Sequence, residues 1–410
     1  MRLIYNFGIW LYYIGACIFS LSNKKAKKWI DGQKSAFVFL ENADLKHQKI
    51  AWFHAASLGE FEQGRPVIEL FRQKHPEYKI LLSFFSPSGY EVRKNYESAD
   101  YICYLPLDTY FNAKRFINIV NPEIVFFIKY EFWFNYLKIL SDRKIPVYLI
   151  SGIFREKQHF FKFYGFWFRK QLKHFSYFFL QNQESKELLN AIGFNNLKIT
   201  GDTRFDRVFQ IAQNPKSFSL IKKFKSELPL VLIGSSWEAD EAVILDFVKE
   251  NADKLKFIFA PHEVYSERID NLKKSLPDNT LLFSDLNEEN YNQSNVLIIN
   301  NIGILSNLYQ YADIAYIGGG FGKGIHNILE AACFGVPTVF GPNYQKFTEA
   351  KELIEIQASF SINNNKEFKN QLSALLSDKD VFYKAKVACM NYINEKRGSS
   401  KMILESIDNQ

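Results

Sequence analysis

The chain has 410 residues, 47% of them apolar and 23% charged, with 20 Gly and 12 Pro; this excludes a disordered, collagen-like or coiled-coil protein and suggests two domains of ordinary size. Four cysteines, Cys17, Cys103, Cys333 and Cys389, share no short spacing, which excludes a disulfide scaffold and a Cys-type zinc site and fits a reducing compartment. The net charge is +7, yet the first 50 residues alone hold eight Lys/Arg against three acids, so the rest of the chain is nearly neutral and no nucleic-acid footprint is expected. The 40 Phe and 22 Tyr accompany 39 Lys against 12 Arg, and this reads as a compositional bias without functional meaning.

In chain order, residues 3–21 come first: LIYNFGIWLYYIGACIFSL, uncharged throughout. As a helix they would span about 28 Å, close to the ~30 Å hydrocarbon core of a bilayer. Lys24, Lys25, Lys27 and Lys28 come next, and each can contribute about 1 kcal/mol of attraction to anionic headgroups. Residues 1–30 are therefore expected to be a membrane anchor with a basic flank, and the positive-inside rule keeps the rest of the chain in the cytoplasm. A cleaved signal peptide and a buried core helix are the alternatives. The first lacks an Ala-x-Ala site and has only Arg2 before the apolar run, although Ile14-Gly15-Ala16-Cys17 has the form of a lipoprotein box. Whether the segment would span the bilayer or lie in it stays open.

From residue 50, short apolar runs alternate with amphipathic stretches. Strands are expected at Ile50–His54, Ile80–Phe85, Ile124–Ile128, Val147–Ile150 and Tyr177–Leu180, with helices at Glu60–Lys74, Ser88–Tyr96, Asp108–Val120 and Phe132–Ser141. The pattern fades near Pro215 and its neighbouring lysines. It restarts with strands at Leu230–Ile233, Phe257–Ala260, Val296–Ile299, Ile314–Ile317 and Thr338–Phe340, and helices fill most of 346–408. Continuous buried strands alternating with helices mean parallel sheets covered on both faces. The expected division is a domain at 31–208, a linker at 209–228 and a domain at 229–410.

Doubly wound sheets bind ligands at the carboxyl ends of their strands, and the motifs fall there. His54-Ala55-Ala56-Ser57-Leu58-Gly59-Glu60 follows the first run; Glu60 either favours the helix dipole or serves as a general base. Lys129-Tyr130-Glu131-Phe132-Trp133 follows the run 124–128. In Gly201-Asp202-Thr203-Arg204-Phe205-Asp206, Arg204 either contacts an anion or pairs with Asp202 or Asp206. In the second half, Ser235 and Ser236 follow one strand and Pro261-His262 the next. Gly318-Gly319-Gly320-Phe321-Gly322-Lys323-Gly324 follows a third. This loop matches neither Gly-x4-Gly-Lys-Ser/Thr nor Gly-x-Gly-x-x-Gly, so it is read as an anion cradle of another kind or as a structural turn. Asn327 is a possible N-cap, and Glu330 either a capping partner or an acceptor for ribose hydroxyls. Gly341-Pro342-Asn343-Tyr344-Gln345 lies at a fourth strand end. No metal is expected, because no His-x3-His or His-Glu-x-x-His occurs and the single Asp-x-Asp, Asp378-Lys379-Asp380, does not follow a strand.

The stretches HAASLGE (54–60), YEFW (130–133), GDTRFD (201–206), GSSWEADE (234–241), GGGF with HNILE (318–330) and GVPTVFGPNYQKF (335–347), taken together in this order, resemble the 3-deoxy-D-manno-octulosonic acid (Kdo) transferases of lipopolysaccharide synthesis. The resemblance implies an α/β GT-B glycosyltransferase of two facing Rossmann-like domains behind an N-terminal anchor on the cytoplasmic face of the inner membrane. It implies a CMP-Kdo donor, a lipid A precursor (lipid IVA) as acceptor, and inversion at the anomeric carbon without a metal or other cofactor. By position Glu60 matches the family's base, and Glu131 and Arg204 match residues that assist the transition state. Pro261, His262, Gly318, Gly319, Gly320, Pro342, Asn343, Tyr344 and Gln345 match contacts to CMP. Lys129, Tyr130, Phe134, Arg204 and Ile328 depart from the usual pattern. Two rivals remain: a lipid-directed GT-B enzyme using a UDP-sugar, and a non-enzymatic lipid-tethered binding protein.

Overall fold

The computed structural model describes residues 1–409. Two compact units share the chain. The first runs from Met1 to Arg207 and takes back the segment from Arg397 onward, and the second is Val208–Lys396.

The first unit's sheet comprises β1 (Lys49–Ala55), β2 (Tyr78–Phe84), β3 (Tyr101–Tyr104), β4 (Ile124–Ile128), β5 (Val147–Gly152), β6 (Tyr177–Leu180) and β7 (Leu197–Ile199). Their order is β3-β2-β1-β4-β5-β6-β7. The second comprises β8 (Leu230–Ser236), β9 (Lys256–Pro261), β10 (Leu281–Leu282), β11 (Val296–Ile298), β12 (Ile314–Ile317), β13 (Thr338–Phe340) and β14 (Ser359–Ser361). Their order is β10-β11-β9-β8-β12-β13-β14. Every neighbouring pair is parallel.

The residues dictate this arrangement. Strand β4, Ile-Val-Phe-Phe-Ile, has no polar face, so both faces must be covered. Val125 and Phe127 join Trp52, Leu149 and the helix Tyr110–Val120 on one side. Phe126 and Ile128 join Phe53, Ile150 and the helix Leu58–Lys74 on the other. Sheet growth reverses between β1 and β4, and again between β8 and β12. Such reversals open crevices at the strands' carboxyl ends.

The boundaries differ from the expected ones. Residues 209–228 are no bare linker, since helices Arg204–Gln213 and Ser219–Lys225 occupy most of the stretch, and Ile221 and Phe224 are buried. Lys222 and Lys223, among the lysines that hid the pattern, are exposed on this short helix. Residue 30 falls inside the helix Lys24–Asn42, which Asn23 caps and which buries Trp29, Ala36 and Leu40. The C-terminal helix Ser399–Asp408 belongs to the first unit, where Ile403 and Leu404 enter the core under Leu58–Lys74. Asp206 holds its start, accepting from Gly398 N at 2.5 Å and from Ser400 N and Oγ at 2.7 Å each.

The helix Arg2–Phe19 is long and apolar enough to cross a membrane, and none of its residues is buried.

Candidate functional site

The first cluster forms at the carboxyl ends of β1, β4 and β5 and after β7. Ser57 opens the helix Leu58–Lys74 and donates to Glu60 Oε2 at 2.7 Å, so Glu60 is oriented in the first turn while its side chain stays half-exposed. Lys129, just past β4, is held at φ +69°. A long side chain in the left-handed region is strained, and such strain persists only where surroundings enforce it. Burial lowers the Lys129 pKa, Arg204 lowers it further, and Asp202 and Glu60 act against this. Tyr130 is raised by burial, with Arg155 opposing; the Lys129 and Arg155 cations lie 5.2 and 5.7 Å from its ring centre. Glu60 and Arg204 therefore share one basic neighbourhood. Arg204 pairs with Asp202, Nε to Oδ2 at 2.8 Å, which realises one of its two expected pairings; Asp206 is engaged elsewhere.

Glu131 has different surroundings. It is 6% exposed, and its Oε2 meets His54 Nε2 at 3.1 Å and accepts from Trp133 Nε1 at 2.5 Å. Behind it, His54 Nδ1 is 2.9 Å from Ser83 Oγ, which accepts from Trp52 Nε1 at 2.7 Å. His54 Nδ1 also lies 3.1 Å from Ser83 O and its Nε2 lies 3.0 Å from Trp133 Nε1, so the ring is held on both sides. Glu131 thus sits among buried side chains at the loop after β4, whereas Glu60 is half-exposed.

The second cluster lies at the carboxyl ends of β8, β9, β12 and β13. Ser235 adopts φ +54°. Ser236 is buried and donates to Glu241 Oε1 at 2.7 Å, which also pairs with Arg268. The glycine-rich loop bonds largely within the protein. Gly319 N and Phe321 N donate to the Asp240 carboxylate at 2.8 and 3.4 Å, and Gly318, Gly322 and Gly324 donate to backbone carbonyls. Those five amides are taken by the protein. The glycines have a packing cause: a Cβ at Gly318 would lie 2.1 Å from Ser235 O, and one at Gly320 would lie 2.5 Å from Gly341 N. They let three strand-end loops close on one another.

That closure gathers the other expected residues. His262 N donates to Ser236 O at 3.0 Å, and Asn343 binds Gly320 O through its amide and Gly322 O through its side chain. Tyr344 and Gln345 continue the same turn after Pro342, where Gln345 Nε2 donates to Pro342 O. Trp237 Nε1 donates to His326 Nε2 at 3.0 Å, and the His262 ring stacks on both, with centroids 4.6 and 4.4 Å away. Burial, and then His262, lower the His326 pKa. Pro261 ends β9 beside them. The helix begins at Leu329 rather than Asn327; Asn327 Oδ1 accepts from Leu329 N, and its Nδ2 donates to Glu330 Oε1 at 2.9 Å. Glu330 is thus oriented by Asn327, which stands one residue before the helix's N-cap, Ile328.

Lys129, Arg155, His54, Asp240 and Trp237 join these clusters without having stood out as site residues in the sequence. His54, Trp237 and Asp240 lie inside the HAASLGE and GSSWEADE stretches and Lys129 is a departure from the family pattern, whereas Arg155 carries no such signal. No group of three or more His, Cys, Asp or Glu side chains suited to a metal ion occurs among the described residues.

The profile of the family described as 3-Deoxy-D-manno-octulosonic-acid transferase (kdotransferase) matches residues 32–207. The chain is 30% identical over 351 residues to the 3-deoxy-D-manno-octulosonic acid transferase of Aquifex aeolicus, covering 83% of this chain and 90% of that protein. It is 25% identical over 401 residues to the enzyme of the same name from Haemophilus influenzae, covering 95% and 93%. Among solved structures, UDP-GlcNAc 2-epimerase from Neisseria meningitidis is similar with TM-score 0.62 at 18% identity, covering 88% of this chain and 100% of that one. MurG of Acinetobacter baumannii has TM-score 0.51 at 13% identity with the same coverage. These structural likenesses concern the fold, which is the two-domain GT-B type.

Proposed function

We propose a reaction for the chain, which belongs to the 3-deoxy-D-manno-octulosonic acid (Kdo) transferase family and is a glycosyltransferase: it moves Kdo from CMP-Kdo to a lipid A precursor, with inversion at the anomeric carbon and release of CMP. The first unit takes the acceptor and the second the donor, on the cytoplasmic face of the inner membrane.

The observation that carries the lipid acceptor is an apolar path within the first unit. A groove of about 530 Å³ lined by Tyr12, Ala16, Phe19, Trp29 and Phe85 adjoins the N-terminal helix. The Phe85 ring lies 5.4 Å from Trp29 and 4.7 Å from Trp133, which binds Glu131. Ser86 N donates to Ala56 O, in the loop that leads to Glu60. An acyl chain in this groove would bring its sugar towards Glu60. Lys129, Arg155 and Arg204 would meet an anionic group on the substrate.

In the reaction Glu60 takes the proton of the acceptor hydroxyl as its oxygen bonds to C2 of Kdo. The bond from C2 to the phosphate oxygen breaks, and CMP leaves with the electron pair. In the second unit Ser235, His262, His326 and the turn Pro342–Gln345 would hold the nucleotide. With five loop amides already engaged, side chains take a larger part in binding the leaving anion than the glycine-rich loop alone would suggest. Glu330, oriented by Asn327, would accept from the ribose hydroxyls. The reading requires no metal or other cofactor.

Incubation of the full chain with CMP-Kdo and tetraacylated lipid A precursor, with mass spectrometry of the lipid, tests it. Kdo addition that survives EDTA is the expected result. An unmodified lipid, or protection against thermal unfolding by UDP but not CMP, would overturn the assignment of donor and acceptor.

A further inference from the structure

The helix Arg2–Phe19 touches the body of the first unit at both of its ends. Near its start Tyr5 donates to Asp108 Oδ2 at 2.6 Å, Arg2 Nε to Asn135 Oδ1 at 3.1 Å, and Asn135 Nδ2 to Asn6 Oδ1 at 2.9 Å. Near its end the Tyr12 and Tyr13 rings lie 5.6 and 6.4 Å from Trp29, with Cys17 packed on the same cluster. A helix crossing a bilayer carries its ends to opposite sides, roughly 27 Å apart for 18 residues. A polar body bound to both ends cannot remain on one side of such a helix.

The face turned away from the body is a single stripe. Leu3, Ile4, Phe7, Trp10, Leu11, Ile14 and Ile18 are all at least half exposed, at the three- and four-residue spacing of one helix side. A second apolar feature lies beside the helix start. Phe163 is 95% and Phe166 74% exposed, with Tyr164 between them. The next residue, Trp167, has its ring 6.0 Å from Tyr5 and 5.0 Å from Phe134. Residues 155–173 around this loop carry six Lys/Arg and one acid. Exposed aromatics among cations, next to an apolar helix stripe flanked by four lysines, are complementary in both polarity and charge to an anionic bilayer surface.

We propose that the helix Arg2–Phe19 lies flat in one leaflet without crossing it, and that the loop Phe163–Phe166 inserts beside it as a second anchor. This rests on the membrane location given above but not on the identity of donor or acceptor. Its occupant is the anionic lipid surface itself.

The full chain bound to vesicles of phosphatidylethanolamine and phosphatidylglycerol, without acceptor or CMP-Kdo, tests this independently of catalysis. Spin labels at Leu3→Cys, Leu11→Cys and Ile18→Cys, each in a Cys17→Ala background, report depth. The flat helix gives similar depths at all three. A label at residue 11 roughly 10 Å deeper than the other two would show a crossing helix and overturn the proposal. The double variant Phe163→Ser/Phe166→Ser should bind vesicles at least about tenfold more weakly, with unchanged thermal unfolding because both side chains are exposed. Undiminished binding removes the second anchor. Equal binding to phosphatidylcholine vesicles removes the anionic requirement. A failure of Kdo transfer would leave all of these readouts unaffected.

Discussion

Glu60 and Glu131 stand at adjacent strand ends but in unlike surroundings. Glu60 is half-exposed and bonded to a single hydroxyl, so its carboxylate can still accept a proton from a substrate. Glu131 is enclosed by His54 and Trp133. Replacing Glu60 with Gln keeps shape and helix start but removes the base. Transfer should fall by about 10²–10⁴-fold, while thermal protection by CMP is retained; near-normal turnover would remove Glu60 from the chemistry. Asp240 is a carboxylate of the second unit engaged by several donors. It accepts from Gly319 N, Trp237 N and Tyr316 Oη at 2.8–3.0 Å. An Asn there offers one acceptor oxygen and turns an N–H donor toward other donors. Asp240→Asn should therefore destabilise the second unit by about 2–4 kcal/mol and abolish CMP protection. Denaturant unfolding with and without CMP measures both effects, and a variant with normal CMP protection would show that the loop does not depend on this carboxylate.

At the scale of elements, the C-terminal helix depends on one side chain far away in sequence. Asp206→Ala removes three acceptor contacts at the helix start, the equivalent of a lost N-cap of ~1–2 kcal/mol. The first unit's transition should fall by roughly 2–6 °C, and the second's should not move. Calorimetry separates the two, and an unshifted first transition would mean the hydrophobic contacts of Ile403 and Leu404 suffice. This helix could not be assigned to the first unit from sequence, because nothing local in 399–408 names its partner. The same limit explains the strands. Strands β3, β7, β10 and β14, which the apolar pattern does not reveal, are the four edges of the two sheets. An edge strand needs only one neighbour and can be two to four residues long, too short for a periodic signal. The central strands are legible because burial on both faces demands continuous apolar runs. The strand-end motifs are legible for a related reason: Gly, Ser and His at such turns leave local marks. Lys129, Arg155 and Asp240 acquire their neighbours only through folding, and the Gly319 and Phe321 amides look free in the sequence because their acceptor, Asp240, lies some 80 residues away.

Across the molecule, five of the seven net positive charges fall in the first 50 residues, and Asp108 ties the helix Arg2–Phe19 at their start to the body of the first unit. Asp108 is fully buried and accepts from Tyr5 Oη, Asn135 N and Tyr136 N. Burial pushes its pKa up to about 6 despite those donors. The unfolded value is about 3.9, so folding favours the protonated form. The favourable contribution is complete below the unfolded value and is lost as pH rises towards 6. The loss is on the order of 3 kcal/mol for a shift of about two units. Asp108→Asn has no proton to exchange at this position. The stability of the unaltered chain relative to Asp108→Asn should therefore decline between about pH 4 and pH 6 and level off above pH 7. The decline should appear in the transition of the first unit alone, since Asp108 and all its partners lie there. Urea unfolding of both proteins from pH 4.5 to 7.5 measures it. A difference that is constant with pH would mean that Asp108 stays ionised in the fold and that Tyr5 is docked on a fully charged carboxylate.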